Sequence, residues 1–381
     1  IVLPVEERKC PQTVSVSVSA FDLIWTVRLL FILHVEAGCV VDIHPRMTSL
    51  HLSVDDVPRL EGKTAIITGG CSGIGWESAQ LLAAKGASVY VLDLHPPPPQ
   101  EHASAEGEGR EEGSNQSRIH YRLCNVASWP ALRAVFDELA QQTITIDIAI
   151  ANAGVSEECD YFADTWDAEG KLEEPAYAVV EVNYRAVLNF VKLSLSAFRR
   201  SSSSSTTNGS SNSNGSGGRS IVITTSATAY SPEHSLPVYS ATKLALVGLV
   251  RALRSSLPHQ YGATINAVAP AATITSLLPA HLAAPIMAAG APVSTPQHVA
   301  LAVVYSAVAT QGSSVERYGN DGPEQTGPGR WNGRVILTLG DRWTEIEEAL
   351  AKGRAQWFGT WNTEMTAVQQ KLTDMRFGTS I

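Results

Sequence analysis

From Leu60 onward the chain alternates between two patterns of apolar and polar positions. Short apolar runs rich in β-branched residues fall at 64–68, 88–92, 119–123, 147–151, 221–225, 264–268 and 335–338, and have the length and composition of buried strands. Between most of them, apolar and alanine residues recur at helical spacing, over 76–85, 128–142, 176–198, 241–257 and 296–309. The helix ends carry signals of their own. Gly86 closes the first helix, Ser128 caps the second, and Thr295 followed by Pro296 opens the last. Thr344 and Glu347 fit a capping box for a short helix beyond the seventh strand.

Three polar stretches interrupt the alternation and read as flexible surface insertions, at 96–117, 199–220 and 311–331. Residues 60–345 are therefore expected to form one domain. Residues 1–59 read as a weakly ordered extension and 346–381 as a helical tail, whose Trp357, Phe358 and Trp361 pack on the domain or on a neighbouring subunit. Segment 20–41 is apolar in patches, but Asp22, Arg28, His34 and Glu36 make a membrane span costly there. No signal-peptide layout is clear, the first residue is Ile1, and the native start is expected at Met47.

Composition narrows the partners. The 381 residues are 44% hydrophobic and 17% charged, enough for a substantial core. With a net charge of -9 there is no basic stripe to neutralise phosphates, so no nucleic-acid partner is expected. The five cysteines (Cys10, Cys39, Cys71, Cys124, Cys159) are scattered and lack metal-type spacing, which fits a reduced, cytoplasmic setting. The carboxylates of 157–174 have no accompanying histidine, so they read as solvated surface and no metal is expected.

The candidate chemistry begins where the first strand runs into Gly69-Gly70-Cys71-Ser72-Gly73-Ile74-Gly75, followed by a helix and a second strand ending at Asp93. Strand, glycine turn, helix, strand, acid is the order of a βαβ dinucleotide unit. Glycines let the backbone approach a pyrophosphate, which the helix's first amides and dipole then hold. Asp93 suits the two hydroxyls of an adenosine ribose and repels a 2'-phosphate, so NAD is expected over NADP. No Arg or Lys at 70–72, or directly after Asp93, opposes that. A glycine-rich loop before an ordinary helix is the plainer alternative. Further on, Tyr239 and Lys243 stand four residues apart, on one face of a helix. An ammonium beside a phenol favours the phenolate, lowers its pKa and makes the tyrosine a candidate general acid and base. The same spacing also occurs on solvated helix faces.

Thr68-Gly69-Gly70-Cys71-Ser72-Gly73-Ile74-Gly75 resembles the Thr-Gly-x-x-x-Gly-x-Gly turn of the short-chain dehydrogenase/reductases, and further motifs of that family follow in order from about Leu60 to Gly340. Asn152-Ala153-Gly154 after the fourth strand matches the family's Asn-Ala-Gly, and Ser226 precedes Tyr239 by thirteen residues, the family's separation. The resemblance implies an α/β, single-domain Rossmann fold: a doubly wound seven-stranded parallel sheet with helices on both faces. It also implies a tetrad in which Tyr239 exchanges the proton, Lys243 lowers its pKa, Ser226 orients the substrate oxygen and Asn183 supports a water behind the lysine. The cofactor site it implies comprises Thr68, Gly69, Cys71, Ser72, Gly73, Ile74, Gly75, Asp93, Asn125, Val126, Asn152, Ala153, Gly154, Tyr239, Lys243, Pro270, Thr273 and Thr275. Two positions depart from the pattern. Asn125 stands where Asp usually holds the adenine, and Ala271 stands where Gly is usual, restricting the loop backbone.

The expected activity is hydride transfer between a secondary alcohol or ketone and NAD. The pattern is similar to the NAD-dependent 15-hydroxyprostaglandin dehydrogenase-like group. Segments 157–176, 232–238 and 276–291 are expected to build a pocket for a hydrophobic alcohol or ketone, the last of them as a mobile lid. Relatives pair through the helices around Asn183 and Tyr239, which implies a homodimer or homotetramer. Two alternatives stay open: a non-catalytic dinucleotide-binding sensor or scaffold, and an NADPH-dependent carbonyl reductase, which Asp93 disfavours.

Overall fold

The computed structural model describes residues 48–99, 118–204, 218–322 and 329–376. The expected start at Met47, the apolar patch at 20–41, Cys10 and Cys39, most of the 96–117 insertion and the centres of the other two lie outside the described residues.

A first strand, β1 (Thr48–Leu50), has no counterpart among the apolar runs. It is followed by the seven expected strands, β2 (Thr64–Thr68), β3 (Ser88–Asp93), β4 (Ile119–Leu123), β5 (Ile148–Ala151), β6 (Arg219–Thr224), β7 (Ala263–Pro270) and β8 (Val335–Leu339), and then by β9 (Arg342–Glu345). All nine join one sheet in the order β1-β9-β8-β7-β6-β5-β2-β3-β4. From β8 to β4 every pairing is parallel. β9 lies antiparallel to β8, and β1 antiparallel to β9. The seven-stranded parallel sheet therefore carries a two-stranded antiparallel edge. Segment 48–59 is correspondingly part of the domain and not a loose extension, with Val57 and Leu60 buried against the body.

The chain winds outward from the middle in both directions, β2 to β4 on one side and β5 to β8 on the other. Strand order thus reverses between β2 and β5, where the carboxyl ends part and leave a crevice.

Among the described residues the longer helices are α1 (Gly73–Ala84), α2 (Trp129–Gln141), α3 (Ala186–Ser204), α4 (Pro237–Leu253), α5 (Ala280–Ala288), α6 (Pro296–Val308) and α7 (Thr360–Thr373), of which α1 to α4 and α6 pack on the sheet. Consecutive strand residues face opposite layers. Ile66 packs with Phe136, Phe190 and Leu246 from α2, α3 and α4, while Ile67 packs with Leu82, Val299 and Val303 from α1 and α6. Each such side chain, fully buried, contributes about 1.5–3 kcal/mol.

The caps follow the sequence in two cases. Ser128 accepts from the Ala131 amide at 3.4 Å and Thr295 from that of His298 at 3.2 Å. The third differs: Thr344 lies in β9, and the short helix Glu347–Lys352 is capped by the Glu345 carboxylate, which accepts from the amides of Glu347 and Glu348 at 2.9 and 3.2 Å. α3 runs on to Ser204, past the expected start of the second insertion, and is entered through a π turn at Glu181–Arg185.

Candidate active site

The crevice between β2 and β5 opens into a cavity of about 730 Å³. Its floor is the turn after β2. At Gly69, with φ +63°, a Cβ would stand 2.8 Å from the Ala153 Cα; at Gly75 it would stand 2.0 Å from the Gly69 carbonyl oxygen. Only hydrogen fits at either place, so the turn lies directly on the backbone that follows β5. Asn152 ties the two together. Its Nδ2 donates to the Gly69 carbonyl at 3.0 Å and its Oδ1 accepts from the Thr224 hydroxyl at 3.1 Å. The backbone amides of Asn152 and Ala153 donate to Thr68 Oγ1 at 3.1 and 3.2 Å.

Of the expected cofactor residues in this turn, Gly69, Ser72, Gly73 and Ile74 line the cavity. Thr68 and Gly75 shape the turn from behind. Cys71 also stands back: its buried thiol is pushed up to about 12 by burial, with the Asp93 charge adding to it, and its amide donates to Asp93 Oδ2 at 3.1 Å. Ser72, at the start of α1, makes no side-chain cap, so the opening of that helix remains suited to an anion. Asp93 lies in the cavity wall beside Leu94 and His95, whose amide it accepts at 3.3 Å through Oδ1.

Asn125, Val126, Ala153, Gly154, Pro270, Thr273 and Thr275 complete the expected set in the lining. Thr275 packs where a side chain on Gly73 would reach, 3.1 Å from its Cγ2. Ala271 holds an ordinary negative φ, and its amide donates to Thr338 at 2.9 Å, so alanine is accommodated where glycine is usual. A dinucleotide fits this donor set: small residues beneath, a helix start for phosphates, and a carboxylate beyond it for ribose hydroxyls.

Ser226, Tyr239 and Lys243 line the same cavity. Tyr239 sits in the first turn of α4, which starts four residues before the expected 241, and Lys243 follows one turn later. Burial of Lys243 lowers its pKa to about 8. Its Nζ donates to the Thr224 carbonyl at 3.1 Å and lies 5.5 Å from the Tyr239 ring centroid. The phenol does not follow the expectation drawn from spacing. Burial pushes the Tyr239 pKa up, a hydrogen bond with Ser226 pulls it down, and Glu233 pushes it up again. The ammonium lies over the ring and is bonded elsewhere, so in the free protein desolvation wins. Ser226 closes β6, accepts from the Thr228 amide and hydroxyl at 3.2 and 3.0 Å, and sits 3.5 Å from the Pro270 carbonyl.

Asn183 is brought near but not into the cavity. Fully buried in the π turn, it accepts from the Val155 amide and donates to the Val155 carbonyl, both at 2.9 Å. A Cβ on Gly154 would stand 3.3 Å from its Oδ1 and 3.5 Å from Lys243 Nζ. The glycine thus lets asparagine and lysine close on one strip of backbone.

Sequence reasoning missed Glu157. Assigned to a solvated loop, its Oε2 accepts from the Tyr239 amide at 2.8 Å and so caps the helix that carries the tyrosine. The two residues lie 82 positions apart, and no local pattern marks the pairing. Segment 232–238 supplies Pro232, Glu233 and Leu236 to the lining, and 276–291 supplies Ser276, Leu277, Leu278 and, from α5, Ile286. The expected contribution of 157–176 is absent: Trp166 and Leu172 pair in an exposed bridge away from the cavity. Among the described residues no cluster of His, Cys, Asp and Glu could hold a metal, and no helix is long and apolar enough to cross a membrane.

Known proteins are similar to this chain in sequence and in fold. The short chain dehydrogenase family model matches residues 63–284. Short-chain dehydrogenase/reductase prx4 of Penicillium roqueforti is 48% identical over 330 residues, covering 87% of this chain and 90% of that protein. Short-chain dehydrogenase/reductase ATR7 of Stachybotrys chlorohalonatus is 42% identical over 341 residues, with 87% and 96% covered. Among solved structures, a short-chain type dehydrogenase/reductase from Mycobacterium marinum matches with a TM-score of 0.50 at 21% identity, over 67% of this chain and 92% of that one, a likeness of fold. The family match spans more than half of the chain and takes in the glycine turn, Asn152, Ser226, Tyr239 and Lys243, and with it the chain belongs to the short-chain dehydrogenase/reductase family of oxidoreductases.

Proposed function

We propose that the protein interconverts a hydrophobic secondary alcohol and its ketone with NAD(H), using Ser226, Tyr239 and Lys243 for the proton and Asn183 to position them. The observation that carries this is the shared cavity: hydroxyl, phenol and buried ammonium line the space whose floor is the glycine turn. A bound dinucleotide supplies the hydride acceptor or donor.

The chain's own residues do the rest. Ser226 hydrogen-bonds the substrate oxygen, and Tyr239 takes its proton in oxidation or returns one in reduction. Lys243, held on the Thr224 carbonyl, favours the phenolate as it forms. Asn183 acts through Val155, fixing the backbone beneath the lysine. Asp93 favours NAD, because a 2'-phosphate would meet its charge. Leu236, Leu277, Leu278 and Ile286 give the substrate an apolar wall, in keeping with the likeness to the 15-hydroxyprostaglandin dehydrogenase-like group. A homodimer or homotetramer through α3 and α4 belongs to the same reading.

One experiment joins these parts. NADH and NADPH are titrated by fluorescence, and secondary alcohols are screened with NAD, for the unaltered protein and for Tyr239→Phe. General acid/base action contributes about 10²–10⁴-fold, so turnover should fall by that factor while NADH binding is kept. Turnover that survives the substitution would refute the role of Tyr239. Tighter binding of NADPH would refute that of Asp93, and tight NADH binding without any turnover would favour a sensor.

A further inference from the structure

The helix α7 is turned inside out. Trp361, Met365, Val368 and Leu372 are 70%, 38%, 48% and 69% exposed. At 3.6 residues per turn they fall within about 60° of the helix circumference. Thr363, Thr366 and Gln370, half-buried, occupy the opposite side, so the polar face rests toward the protein and the apolar stripe points to solvent. No residue of this 14-residue helix is buried. A helix of that length is marginal in water alone, and one that packs on its own domain turns its stripe inward.

α7 is not free to roll over. Asn320 donates to the Lys371 carbonyl at 3.0 Å and, through its amide, to Asp374 at 2.9 Å. Asp374 is paired with Arg376, which donates to the Ser255 and Tyr318 carbonyls at 2.7 and 2.8 Å. The helix is thus pinned at its end with its apolar face outward.

We propose that this face is covered by the same helix of a second copy of the chain, antiparallel across a two-fold axis. The stripe is complementary to itself. Reversed about the midpoint between Thr366 and Ala367, it sets Trp361 opposite the partner's Leu372 and Met365 opposite the partner's Val368, and the axis repeats both pairs. The charges select the direction. Glu364 and Lys371 lie seven residues apart on one edge of the stripe, and the antiparallel arrangement brings Glu364 beside the partner's Lys371, twice over. In a parallel arrangement Glu364 would meet only the partner's Gln369. Neither charge makes an ion pair among the described residues.

The contact uses no residue of α3 or α4, so it adds a level of assembly beyond the pairing that family resemblance implies. Two four-turn helices cover less than the roughly 1,200 Å² at which stable interfaces begin, so the contact should dissociate on dilution.

Sedimentation velocity of the full chain over a dilution series tests this, with Val368→Glu, Glu364→Lys, Lys371→Glu and the double charge swap. All three positions are on the exposed side, and an unchanged melting transition verifies the fold. Val368→Glu should halve the mass reached at high concentration. Each single charge reversal should raise the dissociation midpoint about threefold to tenfold, and the double swap should restore it. A mass indifferent to Val368→Glu would overturn the second copy as the occupant. Single reversals without effect, or a double swap that fails to restore, would overturn the antiparallel arrangement.

Discussion

Lys243 carries a folding cost that goes with the role proposed for it. Burial takes its pKa from the ordinary 10.5 to about 8. Between those values the unfolded chain holds more protons, so stability rises with pH. Below about 8 the whole penalty stands, on the order of 3 kcal/mol at about 1.4 kcal/mol per pH unit. Lys243→Met should therefore melt higher than the unaltered protein at pH 7, by several degrees, and lose turnover about 100-fold or more. Calorimetry against pH should see the gap close as pH approaches 10.5. The positions of Tyr239 and Lys243 were legible because a four-residue spacing defines a helix face by itself. The direction of the Tyr239 pKa was not, since it depends on desolvation that only the folded cavity imposes.

α4 shows what one carboxylate from a distant loop does for an element. Its first turn holds Tyr239, its N-terminal neighbour Leu236 has no capping side chain, and Glu157 takes the Tyr239 amide instead. Losing a cap costs about 0.5–2 kcal/mol. Glu157→Ala should lower stability by that amount and reduce kcat more than it changes KM, because the tyrosine loses its anchor while the cavity wall stays. Glu157→Gln keeps an acceptor and should recover most of kcat; steady-state kinetics of the pair would distinguish anchoring from a general loss of fold. The buried strands were legible for a physical reason: a parallel strand covered on both faces, such as β5 or β7, reads as an unbroken apolar run. The edge strands were not. β9 is Arg342-Trp343-Thr344-Glu345, half-solvated and polar, and its strand character comes from pairing with β8.

At the scale of the molecule, the C-terminal part is locked by charge to the region that carries the candidate site. Buried Glu347 accepts from Arg251 at 2.7 and 2.8 Å, from Arg254 at 3.5 Å and from the Tyr230 hydroxyl at 2.9 Å, four residues beyond Ser226. Pairings over such separations leave no trace in periodicity, so the tail read as an appendage although its first helix is built into the domain. The edge strand β1 has a similar standing and a practical consequence. The match to the family model begins at residue 63, and trimming the chain to that point would strip β1 from β9. The bared row of backbone amides and carbonyls beside Trp343 would then recruit strands from other molecules. Light scattering should find the shortened protein clumping under conditions that leave the longer one clear, because the first residue of the shared family pattern is not a place where this molecule can be cut.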